Sequence, residues 1–296
     1  MLLSSCAPKA PEKRQFFVAF SQCNNAEPYR AAQNELMQKL FSEAGDVKLV
    51  IADAQQDNSK QVAQVETFIR QKPDLLIVAP NERAALTAIM GQAMEAKIPT
   101  ICLERDILQP NYTSYVHSDN MEIGRLAGQY IVDQLTKKYG KPQGNVVQMR
   151  GLLGVEGEMK RDAGAKEVMA KYPAIKIVAE PVADWIQAKA KDRMTEVLRS
   201  QPKIDIVYGH NDPMAVGAYL AAKELNREKE MIFIGVDGLP GPAGGVKKVE
   251  DGILGATFVY PLCVDKTVEI ALKILRDPTF KPEKEYTLAS KQVGGV

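Results

Sequence analysis

The run His210-Asn211-Asp212-Pro213-Met214 sets short polar side chains where an apolar strand gives way to a helix. Ile204-Asp205-Ile206-Val207-Tyr208-Gly209 reads as a buried parallel strand, and Met214 to Ala222 carries apolar residues at helical spacing. In an open α/β sheet, ligands gather beyond the carboxyl ends of strands, so Asn211 is expected to face one. Asp212 suits the N-cap, with Pro213 at N1. A cap side chain can also reach a ligand, so both roles stand for Asp212.

The elements that would position such a site alternate from Phe16 onward, short apolar runs with longer amphipathic stretches. That alternation marks a parallel α/β sheet. Strand candidates are Phe16 to Ser21, Val47 to Ala52, Leu75 to Ala79, Thr100 to Leu103, Val146 to Met149, Ile175 to Ala179, Ile204 to Tyr208 and Ile232 to Val236. A helix from Pro28 to Ala44 stops at Gly45, and Asn58 with Gln61 resembles a capping box that opens a helix running to Arg70. Two sets of β-α units, parted around His117 to Asn120, predict two doubly wound lobes whose strand ends face each other across a cleft. A chain of 296 residues exceeds what one hydrophobic core usually organises, which agrees with two lobes.

Composition removes several classes of function. Lysine and arginine number 38 against 37 acidic residues, a formal +1 without long single-sign blocks, so a polyanionic partner such as nucleic acid is not expected. Cys6, Cys23, Cys102 and Cys263 lack the paired short spacings of zinc sites or disulfide frameworks. His117 and His210 lie far apart, which gives little support to a metal centre or a histidine acid/base pair. No apolar run approaches the ~20 residues of a transmembrane helix. The glycine-rich Gly151-Leu152-Leu153-Gly154-Val155-Glu156-Gly157 loop lacks the lysine and serine or threonine of a phosphate-binding loop. Met1-Leu2-Leu3-Ser4-Ser5-Cys6 has the apolar, small, small, cysteine pattern of a bacterial lipoprotein signal, with Cys6 as the lipidated residue. It lacks a basic region and a full apolar stretch, so a shortened or misplaced start is expected, and residues 7–15 read as a tether.

Several segments, in order, carry a family resemblance. Phe20-Ser21-Gln22 followed by Glu27-Pro28-Tyr29-Arg30-Ala31-Ala32, then Ile51-Ala52-Asp53-Ala54-Gln55-Gln56, Ile77-Val78-Ala79-Pro80 and Leu103-Glu104-Arg105-Asp106-Ile107 lie in the first half. His117-Ser118-Asp119-Asn120, Arg161 to Gly164, Asn211-Asp212 and Gly235-Val236-Asp237-Gly238 follow. From about Phe16 to at least Pro261 the chain resembles the type I periplasmic sugar-binding proteins, near the galactofuranose-binding branch. Asn24-Asn25 resembles the ribose-binding branch instead, and Leu239 to Gly244 with Thr257-Phe258-Val259-Tyr260-Pro261 is similar to sugar-sensing domains associated with histidine kinases.

The resemblance implies two Rossmann-like lobes joined by a three-strand hinge. Its expected boundaries are 16–117 plus 258–282 for the N-terminal lobe and 118–257 plus 283–296 for the C-terminal lobe. It also implies ligand contacts from Asn25, Tyr29, Arg30, Glu104, Arg105, Arg161, Trp185, Asn211 and Asp237, and no cofactor, metal or catalytic residue. Each sugar hydroxyl both donates and accepts, and carboxylates and guanidinium forks supply its partners. Tyr29 and Trp185 are suited to cover the apolar face of a sugar ring, although Trp185 packed under a loop is an equal reading. Glu104 and Arg105 form a sugar-binding unit, satisfy one another, or bridge the lobes. Arg30, Arg105 and Arg161 balance Glu104, Asp212 and Asp237, which favours a neutral monosaccharide over a sugar phosphate.

The implied activity is extracytoplasmic capture of that sugar by a monomer, for delivery to an ABC importer or for signalling to a membrane sensor kinase. The effector domain of a repressor is disfavoured, because about fifteen residues before the first strand are too few for a helix-turn-helix. An enzyme is not expected.

Overall fold

The computed structural model describes residues 15–294. Cys6 and nearly all of the expected tether lie outside the described residues. Among those described, the strands form two six-stranded sheets. The first has the order β11-β5-β4-β3-β1-β2, built from β1 (Phe16–Gln22), β2 (Val47–Asp53), β3 (Leu75–Val78), β4 (Thr100–Leu103), β5 (Ser114–Ser118) and β11 (Glu285–Leu288). The second has the order β12-β10-β9-β8-β6-β7, from β6 (Gly144–Met149), β7 (Ile175–Ala179), β8 (Ile206–Gly209), β9 (Ile232–Asp237), β10 (Ala256–Val259) and β12 (Gln292–Gly294). Among the described strands only β12 pairs antiparallel.

Central strands are apolar on both faces because helices cover both faces. Along β1, Val18 and Phe20 enter one core while Ala19 enters the other, the two-residue alternation of a pleated strand. Around the first sheet pack α1 (Pro28–Ala44), α2 (Asn58–Gln71), α3 (Arg83–Glu95) and α9 (Val264–Arg276); the second carries α4 (Asn120–Tyr139), α5 (Glu156–Met169), α6 (Gln187–Ser200), α7 (Asp212–Glu224) and the short α8 (Gly245–Glu250). Gly45, left-handed at φ 75°, ends α1 and donates to Ser42 O.

The chain crosses between sheets three times: after β5, after β10 and after β11. Side chain and backbone tie the crossings together. Ser118 Oγ donates to Leu288 O at 2.8 Å and lies 3.1 Å from Ser290 Oγ, while Val259 N–H donates to Lys291 O at 2.7 Å.

Several expectations change at this level. Residues 283–288, assigned to the second lobe, instead lie against the first, with β11 (Glu285–Leu288) beside β5, and the last crossing falls at 289–291. Phe258 and Val259, assigned to the first lobe, belong to β10 and pair with β9. The physical reason is that β11 is a four-residue, half-exposed edge strand, so it lacks an apolar run to announce it. Asn211 rather than Asp212 caps α7, its Oδ1 accepting from Met214 N–H at 2.9 Å, which moves Pro213 to the second helical position. At α2 the cap is Asp57, and Gln61 is drawn inward, donating to Ala79 O and accepting from Asn81 N–H.

Candidate functional site

A cavity with about 320 Å³ of free space, counting its mouth, opens where the carboxyl ends of the two sheets face each other. Its walls include Tyr29, Arg30, Glu104 and Arg105 from the first lobe, Arg161, Trp185, Asn211 and Asp237 from the second, and Tyr260 from a crossing. The lobes touch at its rim, where Gln56 Nε2 donates to Asp184 O at 3.5 Å.

On the first-lobe side, α1 begins one short loop after the β1 end and delivers Tyr29 and Arg30. Arg30 Nη1 lies 2.5 Å from Glu104 Oε2 and donates to Gln33 Oε1 at 3.0 Å. Glu104 has a left-handed backbone at φ 68°, which turns it off the β4 end into the cavity. Its Oε1 accepts from Tyr260 Oη at 2.8 Å, and Arg105 Nε stands 3.8 Å from Oε2. Burial pushes the Glu104 carboxyl up, but Arg30, Arg105 and these hydrogen bonds overcome it and hold the group below the usual range. Glu104 therefore pairs mainly with Arg30, and Arg105 donates to Asn81 O at 3.1 Å. Tyr29 stacks on Tyr260, ring centroids 5.2 Å apart, and its hydroxyl donates to Pro261 O.

On the second-lobe side, α4 and α5 approach so closely that a Cβ on Gly124 would lie 2.5 Å from Arg161 O. This closeness sets the root of Arg161, whose Nε donates to Asn120 Oδ1 at 2.9 Å and Nη1 to His210 O at 2.5 Å. The guanidinium lies 4.4 Å from the Tyr260 ring centroid and 5.6 Å from that of Trp185. Trp185 is 4% exposed, with its ring over Gly151, where a Cβ would come within 2.3 Å of ring carbons. The glycine at the head of the 151–157 loop thus makes room for the indole. Trp185 Nε1 is buried without a hydrogen-bond partner, as is Arg30 Nε. Asn211 donates from Nδ2 to Trp185 O, so cap and cavity wall share one side chain.

Asp237 ends β9 with φ 126° and is followed by Gly238 at φ 61°. Burial, then the neighbouring Asp212, raises its carboxyl well above the ordinary range, with Arg161 opposing. Asp212 is pushed up to about 7, chiefly by burial, against hydrogen bonds from Thr257 and Gly238 and the charge of Arg161. His210 is fully buried and held well below its usual value by burial and then by Arg161.

The structure thus brings together eight of the residues expected from the sequence: Tyr29, Arg30, Glu104, Arg105, Arg161, Trp185, Asn211 and Asp237. Asn25 is not among them. It is exposed and accepts from Asn34 Nδ2, while the neighbouring Asn24 is buried and donates to Glu27 Oε1. Glu27, Val155, Gly157 and Tyr260 complete the lining. Tyr260 lies just past β10 on a crossing whose local sequence points to the hinge rather than to a site; the adjacent Pro261 was the available signal. Among the described residues, no group of three or more histidine, cysteine or acidic side chains is placed to hold a metal, and Cys23, Cys102 and Cys263 are buried and unpaired. No helix among them is long and apolar enough to cross a membrane.

Residues 18–261 match the family described as periplasmic binding protein domain. The galactofuranose-binding protein of Escherichia coli is 32% identical over 80% of this chain and 74% of its own length. A ribose import binding protein of Salmonella typhimurium is 29% identical over 99% and 94%. Among solved structures, the fructose-binding periplasmic domain of a hybrid two-component system is 39% identical, with a TM-score of 0.88 over 95% of this chain and 91% of that one.

Proposed function

The chain belongs to the periplasmic binding protein family, and from that premise we propose that it captures a neutral monosaccharide between its lobes outside the cytoplasm and delivers it to an ABC importer. It is a type I periplasmic sugar-binding protein, and its family consists of solute-binding proteins, not enzymes. The observation that carries the choice of ligand is the unsatisfied polar set in the cavity. Arg30 Nε and Trp185 Nε1 are buried, neither has a hydrogen-bond partner within the protein, and the Asp237 carboxyl lines the same cavity. Buried polar groups are costly when unmade, so they call for a ligand that both donates and accepts. The first-lobe charges Arg30, Arg105, Glu27 and Glu104 cancel in pairs, and Arg161 faces the Asp212–Asp237 acid pair, which holds about one negative charge when it shares a proton. That balance favours a neutral polyol ring over a sugar phosphate. Tyr29, Trp185 and Tyr260 offer the apolar walls for its C–H faces.

Calorimetry with a panel of neutral pentoses and hexoses tests this reading. At least one should bind with micromolar or better affinity, about −8 kcal/mol or stronger. Failure of every sugar, with binding of a phosphate ester or an amino acid, would overturn it.

A second reading, a sugar sensor that signals to a membrane histidine kinase, is favoured by the 39% identity to the fructose-binding domain of a two-component system. Co-purification with a cross-linked permease supports import; co-purification with a kinase ectodomain supports sensing. We further propose that the protein acts as a monomer and that Cys6 carries the lipid anchor. Sedimentation tests the first, and labelling with a fatty-acid analogue in wild type and Cys6→Ala tests the second.

A further inference from the structure

Behind the cavity wall lies a carboxylate that no sugar can touch directly. Asp212 is 5% exposed, at the first turn of α7, and does not line the cavity. Its Oδ1 accepts from Thr257 Oγ1 at 2.7 Å and its Oδ2 from Gly238 N–H at 2.9 Å. Glycines surround it: a Cβ on Gly235 would lie 2.2 Å from Oδ1, and one on Gly245 1.9 Å from Oδ2. The Gly238 amide it holds belongs to the residue after Asp237, whose own backbone is strained at φ 126°. Asp212 thereby fixes the turn that aims Asp237 into the cavity.

We propose that Asp212 is a positioning residue that also sets the protonation of Asp237, so that sugar binding expels a proton held by the two carboxyls. The inference rests on the sugar-binding reading above. Asp212 holds the amide of the residue next to Asp237, and two buried carboxyls that interact in this way cannot both ionise freely. The groups facing the pair are Arg161 from α5, Glu27 and Arg30 from the start of α1, and the Thr257 hydroxyl of β10; Arg161 alone faces both acids closely enough to oppose the effect. In the ligand-free protein the pair keeps a proton, consistent with Asp212 being pushed up to about 7. A carboxylate accepting from two sugar hydroxyls has no use for that proton, which leaves for the buffer. Affinity therefore rises with pH and levels off above the titration of the pair.

The test uses D-fructose, titrated calorimetrically into the full chain from pH 5 to 9 in buffers of different ionisation enthalpy. Wild type should weaken about tenfold for each pH unit below its midpoint and should release close to one proton. Asp212→Asn keeps the shape and an acceptor for Gly238, and it should shift the midpoint at least one unit to acid and abolish proton release at pH 7. An unchanged midpoint in that variant, or no proton release from wild type, overturns the proposal. Absence of fructose binding at pH 8 counts against the choice of sugar and leaves the acid pair testable without ligand. Then the melting temperature decides. A folded state holding an extra proton loses stability as pH rises from about 5 through 8. Wild type should show that slope and Asp212→Asn should flatten it; equal slopes overturn the inference. If Asp212→Asn fails to fold, Asp237→Asn, which removes the other carboxyl, must flatten the slope instead.

Discussion

The two walls of the cleft handle charge in opposite ways. On the first-lobe wall, Arg30 and Glu104 meet at 2.5 Å with Tyr260 completing the carboxylate, so the charges are neutralised before any ligand arrives. On the second-lobe wall, Asp237 has another acid beside it, while Arg161 is spent on Asn120 and His210 O. The first arrangement is a prebuilt frame; the second holds a destabilised acceptor that a ligand can relieve. Fold stability and binding energy are therefore expected to reside in different residues of one cavity.

The sharpest break of this comparison is Glu104→Ala. It leaves Arg30 buried without its partner, and removing one member of a buried pair costs about 3–5 kcal/mol. Denaturant unfolding should register that loss, and a loss below about 1 kcal/mol would show that the first wall is no frame. Asp237→Asn makes the opposite case. Its folded carboxyl titrates above the unfolded value, so ionisation at pH 8 opposes folding, and the variant should melt no lower than wild type there. Its sugar affinity should nonetheless fall roughly ten- to a hundredfold, since a charged hydrogen bond contributes about 1.5–3 kcal/mol. Arg161→Ala should lose both affinity by a similar factor and stability, because it also serves Asn120 and His210. Affinity within about twofold for both variants would remove them from the site.

A smaller effect is expected at Gly151→Ala. The added methyl cannot coexist with the Trp185 ring, so the indole must shift, with roughly tenfold weaker binding and a change in the emission of the protein's single tryptophan. An unchanged spectrum would mean the ring had room. The smallest signal belongs to the lobes themselves. Residues of both walls contact one ligand only when the cleft is shut, so saturating sugar should reduce the radius of gyration in small-angle scattering. No change at saturation would mean the ligand-free protein is already closed.

The sequence was most legible where strands are buried on both faces. Leu75 to Val78 and Ile101 to Leu103 are unbroken apolar runs because helices cover them, and that burial is written directly in residue type. Of the edge strands, β2 and β7 were named from their longer runs, whereas β11 and β12 are short and partly exposed, so neither hydrophobicity nor period marks them; the interior β5 and β10, short and broken by polar residues, went unnamed as well. The site followed the same rule. Glu104 and Asp237 stand at strand ends that the pattern locates and Arg161 in the second turn of α5, whereas Asn25 lies exposed outside the lining, because the path of the loop after β1 decides which side chains turn inward.

By itself the chain determined the parallel α/β class and the two-lobed plan, because periodicity and polarity are local properties of burial, while most side chains that face the cleft came from the family resemblance its segments carry. Only the tertiary structure decided which charges neutralise each other. Arg30 and Glu104 are far apart in sequence and Tyr260 farther still, and Asp212 reaches Asp237 only because β8 and β9 lie side by side. Electrostatics at a few ångströms is set by distance and burial in the folded state, and no spacing along the chain encodes either.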